Sequence, residues 1–256
     1  MLIKLALLEV HVVHHCNLNC AGCAHYAPLA DGNWELSAND LRLGLTALRV
    51  AGLEPSTIRL FGGEPTLHSA LGDLLVLTRE MLPSVEILLM TNGLRRREWW
   101  FSLTQTLLEN CVKVEITGYP NVPADATVNF LQAVGVRAEV YSVDKHLRHH
   151  AITADHRQVA ADEQCVMRAG TEVSTQLVCA PVPTLWSCPV VAYSWIARRV
   201  FPDFPVPGDD CRVVLDHRVT EEELTRLAQP TSFCAHCVVG QENLPWTVST
   251  RSRSEW

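Results

Sequence analysis

Apolar and polar residues alternate in blocks along the first half of the chain, where short apolar runs are separated by longer amphipathic stretches. The run at residues 5–14 is apolar enough to form a strand buried on both faces, as the strands of parallel sheets are. Ser37 then takes the position of a helix N-cap. The leucines that follow recur at helical spacing, namely Leu41, Leu45 and Leu48. The pattern therefore predicts that the chain opens with a strand and a helix.

The same alternation repeats as far as residue 142. It predicts strands at residues 57–61, 85–90, 112–117 and 136–142, with helices between them at residues 68–82, 98–110 and 126–134. Strands that alternate with helices form parallel βαβ units with right-handed crossovers. We therefore predict an α/β fold in which the first 143 residues curl into an open barrel.

The pattern changes after residue 143. Residues 144–172 show no clear period, and we assign them to a last barrel unit and a linker. Residues 173–179 and 185–189 flank a proline-rich turn, which predicts a hairpin that would bring Cys179 close to Cys188. The hairpin opens a small C-terminal module, residues 173–240, with helices predicted at 190–200 and 221–228. Residues 241–256 are a polar tail that we expect to fray.

Composition narrows the class of protein. The chain has 256 residues, of which 48% are hydrophobic, but no run approaches the roughly 18 apolar residues of a membrane span. The apolar start is interrupted by Glu9 and His11, so it resembles a buried strand rather than a signal peptide. A net charge of −7 argues against a nucleic-acid partner. We expect a cytoplasmic protein without a membrane partner, in which ten cysteines indicate metal or redox chemistry.

The densest group of cysteines is Cys16, Cys20 and Cys23, spaced C-x₃-C-x₂-C. This spacing allows one loop to place three thiolates around a cubane iron–sulfur cluster and leaves one iron without a protein ligand. A zinc site with His25 as the fourth donor is an alternative, although the spacing is not usual for zinc fingers. A disulfide framework is a weaker alternative, because the sequence has no signal peptide.

A second motif, Gly62-Gly63-Glu64-Pro65, follows the second predicted strand. Together with the cysteine spacing it resembles the radical S-adenosylmethionine (SAM) superfamily. The resemblance implies a partial (β/α)6 TIM-like barrel whose [4Fe-4S] cluster binds SAM through the open iron. It implies that residues 62–65 meet the SAM amino group, and we expect the glycines to allow a close backbone approach. One electron then cleaves SAM to methionine and a 5′-deoxyadenosyl radical, which takes a hydrogen atom from substrate. Cys16, Cys20 and Cys23 would thus be the catalytic metal ligands.

Other SAM contacts follow from the resemblance alone. The family usually has an aromatic residue before its third cysteine, where this chain has Gly22, so Tyr26 or His25 would take that role near the adenine. Thr117 would contact the ribose. Thr91 and Asn92 follow a neighbouring predicted strand and should lie at the same open end of the barrel, where they are further candidates for SAM contacts. Ordinary turn chemistry would also explain them.

A second cluster is implied by the C-terminal cysteines. Cys188 after the hairpin and the C-x₂-C pair Cys234 and Cys237 resemble the twitch module, a shortened SPASM domain that holds an auxiliary [4Fe-4S] cluster on four cysteines. Our preferred fourth ligand is Cys179, with Cys165 as the alternative. Pro183 stands where the module usually has a glycine. Cys111 and Cys211 are interpreted as a core residue and a bystander.

The overall size and cysteine layout resemble the 2-deoxy-scyllo-inosamine dehydrogenases, short twitch-type enzymes of aminoglycoside biosynthesis. That resemblance implies oxidation of a sugar- or aminocyclitol-like small molecule in natural-product or carbohydrate biosynthesis, with an electron passing to the auxiliary cluster. A flavodoxin- or ferredoxin-type reductant would be the protein partner. Alternatives within the class are peptide modification and sulfur insertion. Outside it, a non-catalytic iron–sulfur or zinc regulator would leave residues 62–65 unexplained.

Overall fold

The computed structural model describes residues 2–120, 122–142, 150–152, 174–239 and 245–256. Its strands are β1 Ile3–Val13, β2 Leu53–Gly62, β3 Glu86–Thr91, β4 Val112–Thr117, β5 Ala138–Ser142, β6 His150–Ile152, β7 Ser174–Val178, β8 Thr184–Trp186, β9 Arg212–Val214 and β10 Cys237–Val239. The helices are α1 Ala38–Val50, α2 Leu71–Met81, α3 Arg97–Glu109, α4 Ala124–Ala133, α5 Pro189–Ala192, α6 Ser194–Val200 and α7 Glu221–Ala228.

Eight strands form one sheet in the order β5-β4-β3-β2-β1-β7-β8-β9. The strands β1 to β5 are parallel neighbours in chain order, and helices α1 to α4 connect them. The predicted α/β barrel class is confirmed, and the parallel strands end at one shared edge. The sixth β/α unit was predicted to begin between residues 144 and 168, and most of that range lies outside the described residues.

Strand β1 lies inside the sheet, between β2 and β7, and both of its faces are covered. Leu8, Val10 and Val12 belong to the main apolar core, together with the leucines of α1. On the opposite face, the carboxylate of Glu9 accepts a hydrogen bond from Arg59 Nη1 at 2.7 Å, and Arg59 Nη2 reaches Glu115 at 3.3 Å. Alternate residues of a strand point to opposite faces. His11 therefore shares the polar face with Glu9, so the strand is buried on both faces but apolar on only one of them.

Strand β2 begins four residues before its predicted start, because Pro55 is tolerated inside it. Residues 53–55 pair with β1, whereas pairing with β3 begins only at Thr57. Pro55 is thus paired only with β1. Its lack of an amide hydrogen breaks no hydrogen bond to β3, because that pairing has not yet begun. The predicted Ser37 cap of α1 is present, since its side chain accepts from Asp40 N at 3.0 Å.

The C-terminal hairpin forms as predicted, but its register differs from the expectation for the cysteines. Strand β7 adds to β1 in parallel, and β8 pairs antiparallel with β7, with Val178 opposite Thr184. Continuing that register puts Cys179 opposite Pro183 at the turn and Cys188 at the other end of the hairpin. The two are thus about 16 Å apart along the strands, at 3.3 Å per residue. The expectation that the hairpin brings them together is wrong.

Residues 245–256 are ordered against the cysteine loop rather than frayed. Ala21 N donates to Thr247 O at 3.1 Å, and Ser249 N donates to Asn19 O at 2.7 Å. Trp256 is buried, and its Nε1 donates to Cys23 O at 2.9 Å. The polar composition of this segment concealed these contacts, because they are made largely by its backbone. Among the described helices, none combines the length and the apolarity needed to cross a membrane.

Candidate functional site

The first cysteine loop, residues 16–23, begins three residues after β1 ends at the shared strand edge. Leu18 N donates to Cys16 Sγ at 3.3 Å, and Trp246 Nε1 donates to Cys20 Sγ at 3.1 Å. Cys20 is buried, while Cys16 and Cys23 are half-buried. The structure thus brings the three predicted cluster ligands together on one loop, which the C-terminal segment covers.

The donor set fits a cluster of positively charged irons. Burial raises the pKa of Cys16 well above its usual range, and the Glu64 carboxylate and the thiols of Cys23 and Cys20 raise it further. A cationic group beside Cys16 would oppose these effects and favour the thiolate that binds iron. Among the described residues, no three His, Cys, Asp or Glu side chains are arranged to hold a single metal ion. A cluster does not need that convergence, because each cysteine binds a different iron.

The glycine pair at the end of β2, Gly62 and Gly63, fixes the cysteine loop to the barrel. Gly63 N donates to Val13 O at 2.9 Å, and Glu64 N donates to His15 O at 3.0 Å. A Cβ atom on Gly63 would overlap the carbonyl oxygen of His15, and one on Gly62, whose φ is +137°, would overlap that of Val13. The glycines are thus required for close packing of two backbones. Contact with SAM is a separate expectation.

Glu64 organises the next strand end. Its buried carboxylate accepts hydrogen bonds from Thr66 Oγ1 and Thr66 N, from Thr91 Oγ1 at 2.6 Å and from Asn92 N at 2.8 Å. Asn92 Nδ2 in turn donates to Asn17 Oδ1 at 2.7 Å. Burial raises the pKa of Glu64, although these hydrogen bonds oppose that effect. Four predicted SAM-site residues, Glu64, Pro65, Thr91 and Asn92, therefore lie together beside the cysteine loop.

Tyr26 lies between the two cysteine regions. Its N–H donates to Cys23 O at 2.9 Å, and its hydroxyl donates to Val190 O at 3.0 Å. Burial raises the pKa of Tyr26, and the nearby thiols of Cys188, Cys237 and Cys23 raise it further. The ring packs in an apolar cluster with Phe204 and Trp256. Its proposed contact with adenine stays a prediction.

Tyr119 was missed by the sequence analysis. Burial raises its pKa, and the thiols of Cys20, Cys23 and Cys16 add to that effect, so the phenol faces the cysteine loop. Thr117, the predicted ribose contact, is buried two residues earlier at the end of β4. The only sequence signal for Tyr119 was its place just beyond a strand end.

The second cysteine set, Cys188, Cys234 and Cys237, is half-buried. Cys234 lies in the 3₁₀ helix Ser232–His236, and Cys237 directly follows it. Cys188 and Cys237 pack against the same apolar cluster as Tyr26. The structure thus places at least these two near each other.

The structure changes the candidates for the fourth ligand of the second cysteine set. Cys179 is buried against Gly44 of α1 in the main core, where burial and Asp40 raise its pKa to about 12. Cys211, interpreted from sequence as a bystander, is buried, and its carbonyl accepts from Ser187 N at 3.1 Å, next to Cys188. Its thiol lies 4.0 Å from Ser232 Oγ. Cys165 lies outside the described residues.

A cavity of about 430 Å³, here called the histidine cavity, lies between the end of β1, the segment before α1, the β7–β8 hairpin and helices α5 and α6. Its lining includes the buried side chains of His11, His14 and Tyr193 and the exposed side chains of Trp34 and Arg199. The His11 ring stacks on Tyr193 with 3.6 Å between centroids, and the His14 ring stacks on Trp34 at 4.0 Å. The break between α5 and α6 at Tyr193 turns this side chain inward. Because the cavity is assembled from four separated segments, its residues form no sequence motif.

The comparisons with known proteins agree with this arrangement. No protein-family profile matches the chain. The S-adenosylmethionine-dependent nucleotide dehydratase RSAD2 of Danio rerio is 33% identical over 97 residues, which are 37% of this chain and 26% of that protein. The 7,8-dihydro-6-hydroxymethylpterin dimethyltransferase of Methanocaldococcus jannaschii is 34% identical over 89 residues, 35% of this chain and 17% of that protein. The chain therefore matches only about a quarter or less of the length of these relatives.

The fold similarity extends further than the sequence similarity. The crystal structure of BtrN in complex with AdoMet and 2-DOIA aligns over 100% of this chain and 98% of that chain, with a TM-score of 0.56 and 15% identity. At that identity the likeness establishes the fold. The motif pair, the two curated relatives over about a third of this chain and the full-length fold likeness make the chain similar to radical SAM enzymes.

Proposed function

We propose that the chain reductively cleaves SAM at the first cysteine loop and oxidises a sugar- or aminocyclitol-like small molecule by hydrogen abstraction. The observation that carries the proposal is the joining of the two motifs. Glu64 N is bonded to His15 O one residue before Cys16, and the Glu64 carboxylate binds the end of β3. Residues that would hold the cluster and residues that would hold SAM thus form one rigid group at the edge where barrel enzymes place their chemistry.

The roles of the residues follow from this group. Cys16, Cys20 and Cys23 would hold a [4Fe-4S] cluster, and the backbone of residues 62–65 with Thr91, Asn92 and Thr117 would hold SAM. When bound, the cluster supplies one electron that divides SAM into methionine and a 5′-deoxyadenosyl radical. The covering segment 245–256 and the half-buried Tyr119 would limit the access of water to the loop. Exclusion of water protects a reactive radical from side reactions.

The oxidation is supported by the full-length fold likeness to BtrN, whose crystal structure contains AdoMet and 2-DOIA. Oxidation of a carbinol carbon by hydrogen abstraction removes one hydrogen atom, then one proton and one electron. The second cysteine set would hold an auxiliary [4Fe-4S] cluster that receives this electron. A flavodoxin- or ferredoxin-type protein would supply the first one.

The test is anaerobic reconstitution with iron and sulfide, followed by incubation with SAM and dithionite. We expect about eight irons per chain for two clusters, and formation of 5′-deoxyadenosine that depends on the reductant. Cys111→Ser is the matched control: Cys111 is exposed and directly precedes β4, at the opposite end of the barrel. Absence of 5′-deoxyadenosine from a fully reconstituted protein would overturn the proposal.

A further inference from the structure

Tyr26 is bonded towards both cysteine regions. Its backbone N–H donates to Cys23 O at 2.9 Å, and its hydroxyl donates to Val190 O at 3.0 Å. Val190 lies in α5, and the N-cap of that helix is Cys188. A single residue thus joins the last cysteine of the first loop to the helix that begins at the second cysteine set.

The phenol lies within electrostatic reach of thiols from both regions. Burial raises the pKa of Tyr26, and the thiols of Cys188, Cys237 and Cys23 raise it further. Because the interaction of two charges weakens with their separation, these three thiols must lie near the phenol. This agrees with the two hydrogen bonds.

The backbone of Tyr26 is held in an unusual conformation. With φ +54° and ψ 25° it is left-handed, which residues other than glycine adopt at an energetic cost. Such strain persists where the surrounding structure fixes the residue. Here the two hydrogen bonds and close packing do so, since only 1% of Tyr26 is exposed. The place of this residue between the two regions is therefore tightly specified.

The surroundings of the ring are apolar. The Phe204 ring meets it edge-on, with 5.7 Å between centroids, and the Trp256 ring lies at 6.5 Å. Cys188 and Cys237 pack against the same apolar cluster. An apolar shell limits the access of solvent to a metal site, so an electron that crosses this region reorganises little water.

We propose that Tyr26 is the path by which an electron passes between the second cysteine set and the first cysteine loop. The path runs from Cys188 to Val190 O, through Tyr26 and on to Cys23 O, and each gap in it is a hydrogen bond. The proposal rests on the proposed function, in which the second set receives an electron and the first loop supplies one. It adds the residue that connects them.

Tyr26 itself is neither oxidised nor reduced. Removing an electron from a phenol requires a far more positive potential than that of an electron able to cleave SAM, so the residue acts as a bonded medium. In the oxidation, the carbinol carbon gives a hydrogen atom to the radical, a proton to solvent and an electron to the second set. Return of that electron along the path would prepare the first site for the next SAM without a further reducing equivalent.

The test drains electrons from the fully reduced protein. The reconstituted chain is reduced with dithionite, freed of dithionite by gel filtration and mixed with SAM alone. Electron paramagnetic resonance of frozen samples follows the second cluster, and chromatography follows 5′-deoxyadenosine. We expect about two molecules of 5′-deoxyadenosine per chain, the second of them formed as the signal of the second cluster disappears. A signal that persists, or a second phase whose rate rises with protein concentration, would overturn the proposal.

Tyr26→Phe tests the residue, because it keeps the ring but removes the hydroxyl that donates to Val190 O. We expect the second phase to slow several-fold, with the first phase, the iron content and both midpoint potentials unchanged. Tyr193→Phe is the matched control, since Tyr193 lies in the same apolar cluster but stacks on His11. An unchanged second phase in Tyr26→Phe would assign the electron another path. A slower one with shifted potentials would assign Tyr26 a structural role instead.

Failure of this proposal differs from failure of the proposed function. No 5′-deoxyadenosine at all would refute the proposed function, and the path with it. A first phase without a second, from a protein with about eight irons per chain, would refute the path alone. Circular dichroism identifies a variant that fails to fold, and the unaltered chain still tests the path through the decay of its second cluster.

Discussion

The two cysteine regions differ in how their ligands are held. The first cysteine loop spans eight residues and is fixed to β1, to residues 62–64 and to the C-terminal segment by hydrogen bonds. The second cysteine set combines Cys188, which follows the hairpin, with Cys234 and Cys237, more than forty residues later in the chain. Its fourth cysteine is not yet identified. A local spacing thus specifies the first site, whereas the second depends on tertiary packing around Tyr26.

The difference predicts separate chemical roles. A site fixed on several sides keeps one iron open without losing its three protein ligands. A site whose ligands come from distant segments gains most from full ligation, because each cysteine also ties two parts of the chain together. We therefore predict that the first site binds SAM and that the second transfers electrons.

The largest effect is expected when the first site is removed. Changing Cys16, Cys20 and Cys23 together to Ala should abolish 5′-deoxyadenosine formation and lower the iron content by about four per chain. The cluster on the second set should still absorb near about 400 nm. Unchanged 5′-deoxyadenosine formation, measured by liquid chromatography, would remove the distinction between the sites.

Gly63→Val should damage the first site almost as strongly. The new side chain would overlap the His15 carbonyl next to Cys16, so we expect loss of iron as well as of SAM affinity. Overpacking of this kind costs about 1–3 kcal/mol, which the unfolding midpoint should show. Gly72→Val is the control, because a Cβ atom on Gly72 would meet only ordinary contacts, the nearest at 3.7 Å from Leu103. Full iron content with reduced SAM affinity would instead show that Gly63 acts only on SAM.

Removal of the C-x₂-C pair should separate cleavage from oxidation. Cys234→Ala with Cys237→Ala should keep reductive SAM cleavage, because the first loop shares no ligand with this pair. The oxidised product should be lost, since the substrate electron has no acceptor. The product-to-5′-deoxyadenosine ratio measures this, and an unchanged ratio would assign the electron another path.

The fourth ligand of the second set is found by iron counts on single variants. Cys179→Ala should leave the iron content unchanged, because Cys179 lies in the main core at the far end of the hairpin. Loss of about four irons in Cys165→Ala or in Cys211→Ala would identify the ligand. A loss in Cys179→Ala instead would show that the hairpin register changes when the cluster binds.

The smallest effect is expected at Trp246. Its indole N–H donates to Cys20 Sγ, and hydrogen bonds to ligand sulfurs raise the reduction potential of a cluster. Trp246→Phe removes this donor and should lower the potential on the order of tens of millivolts, with the iron content unchanged. Trp99→Phe, on helix α3, is the control. An unchanged potential would show that the C-terminal segment only covers the loop.

Sequence periodicity predicted the barrel because each β/α unit is a local pattern, and α7 matches its predicted bounds because Thr220 and Glu223 form a capping box. The cysteine ligands and residues 62–65 were also readable, since each motif is contiguous. The histidine cavity and the contacts of Trp246 and Trp256 were not, because they join segments far apart in sequence. The hairpin itself was predicted correctly. Its register places Cys179 far from Cys188, and the sequence did not reveal this because register depends on turn geometry.

The central claim, that the first cysteine loop holds a cluster open to SAM, is tested most directly by electron paramagnetic resonance. The Cys234→Ala, Cys237→Ala double variant, which should retain only the first cluster, is reduced with dithionite and measured before and after addition of SAM. The account predicts a reduced-cluster signal whose g values shift when the amino and carboxylate groups of SAM bind the open iron. A reduced cluster whose spectrum is unchanged by saturating SAM would contradict it.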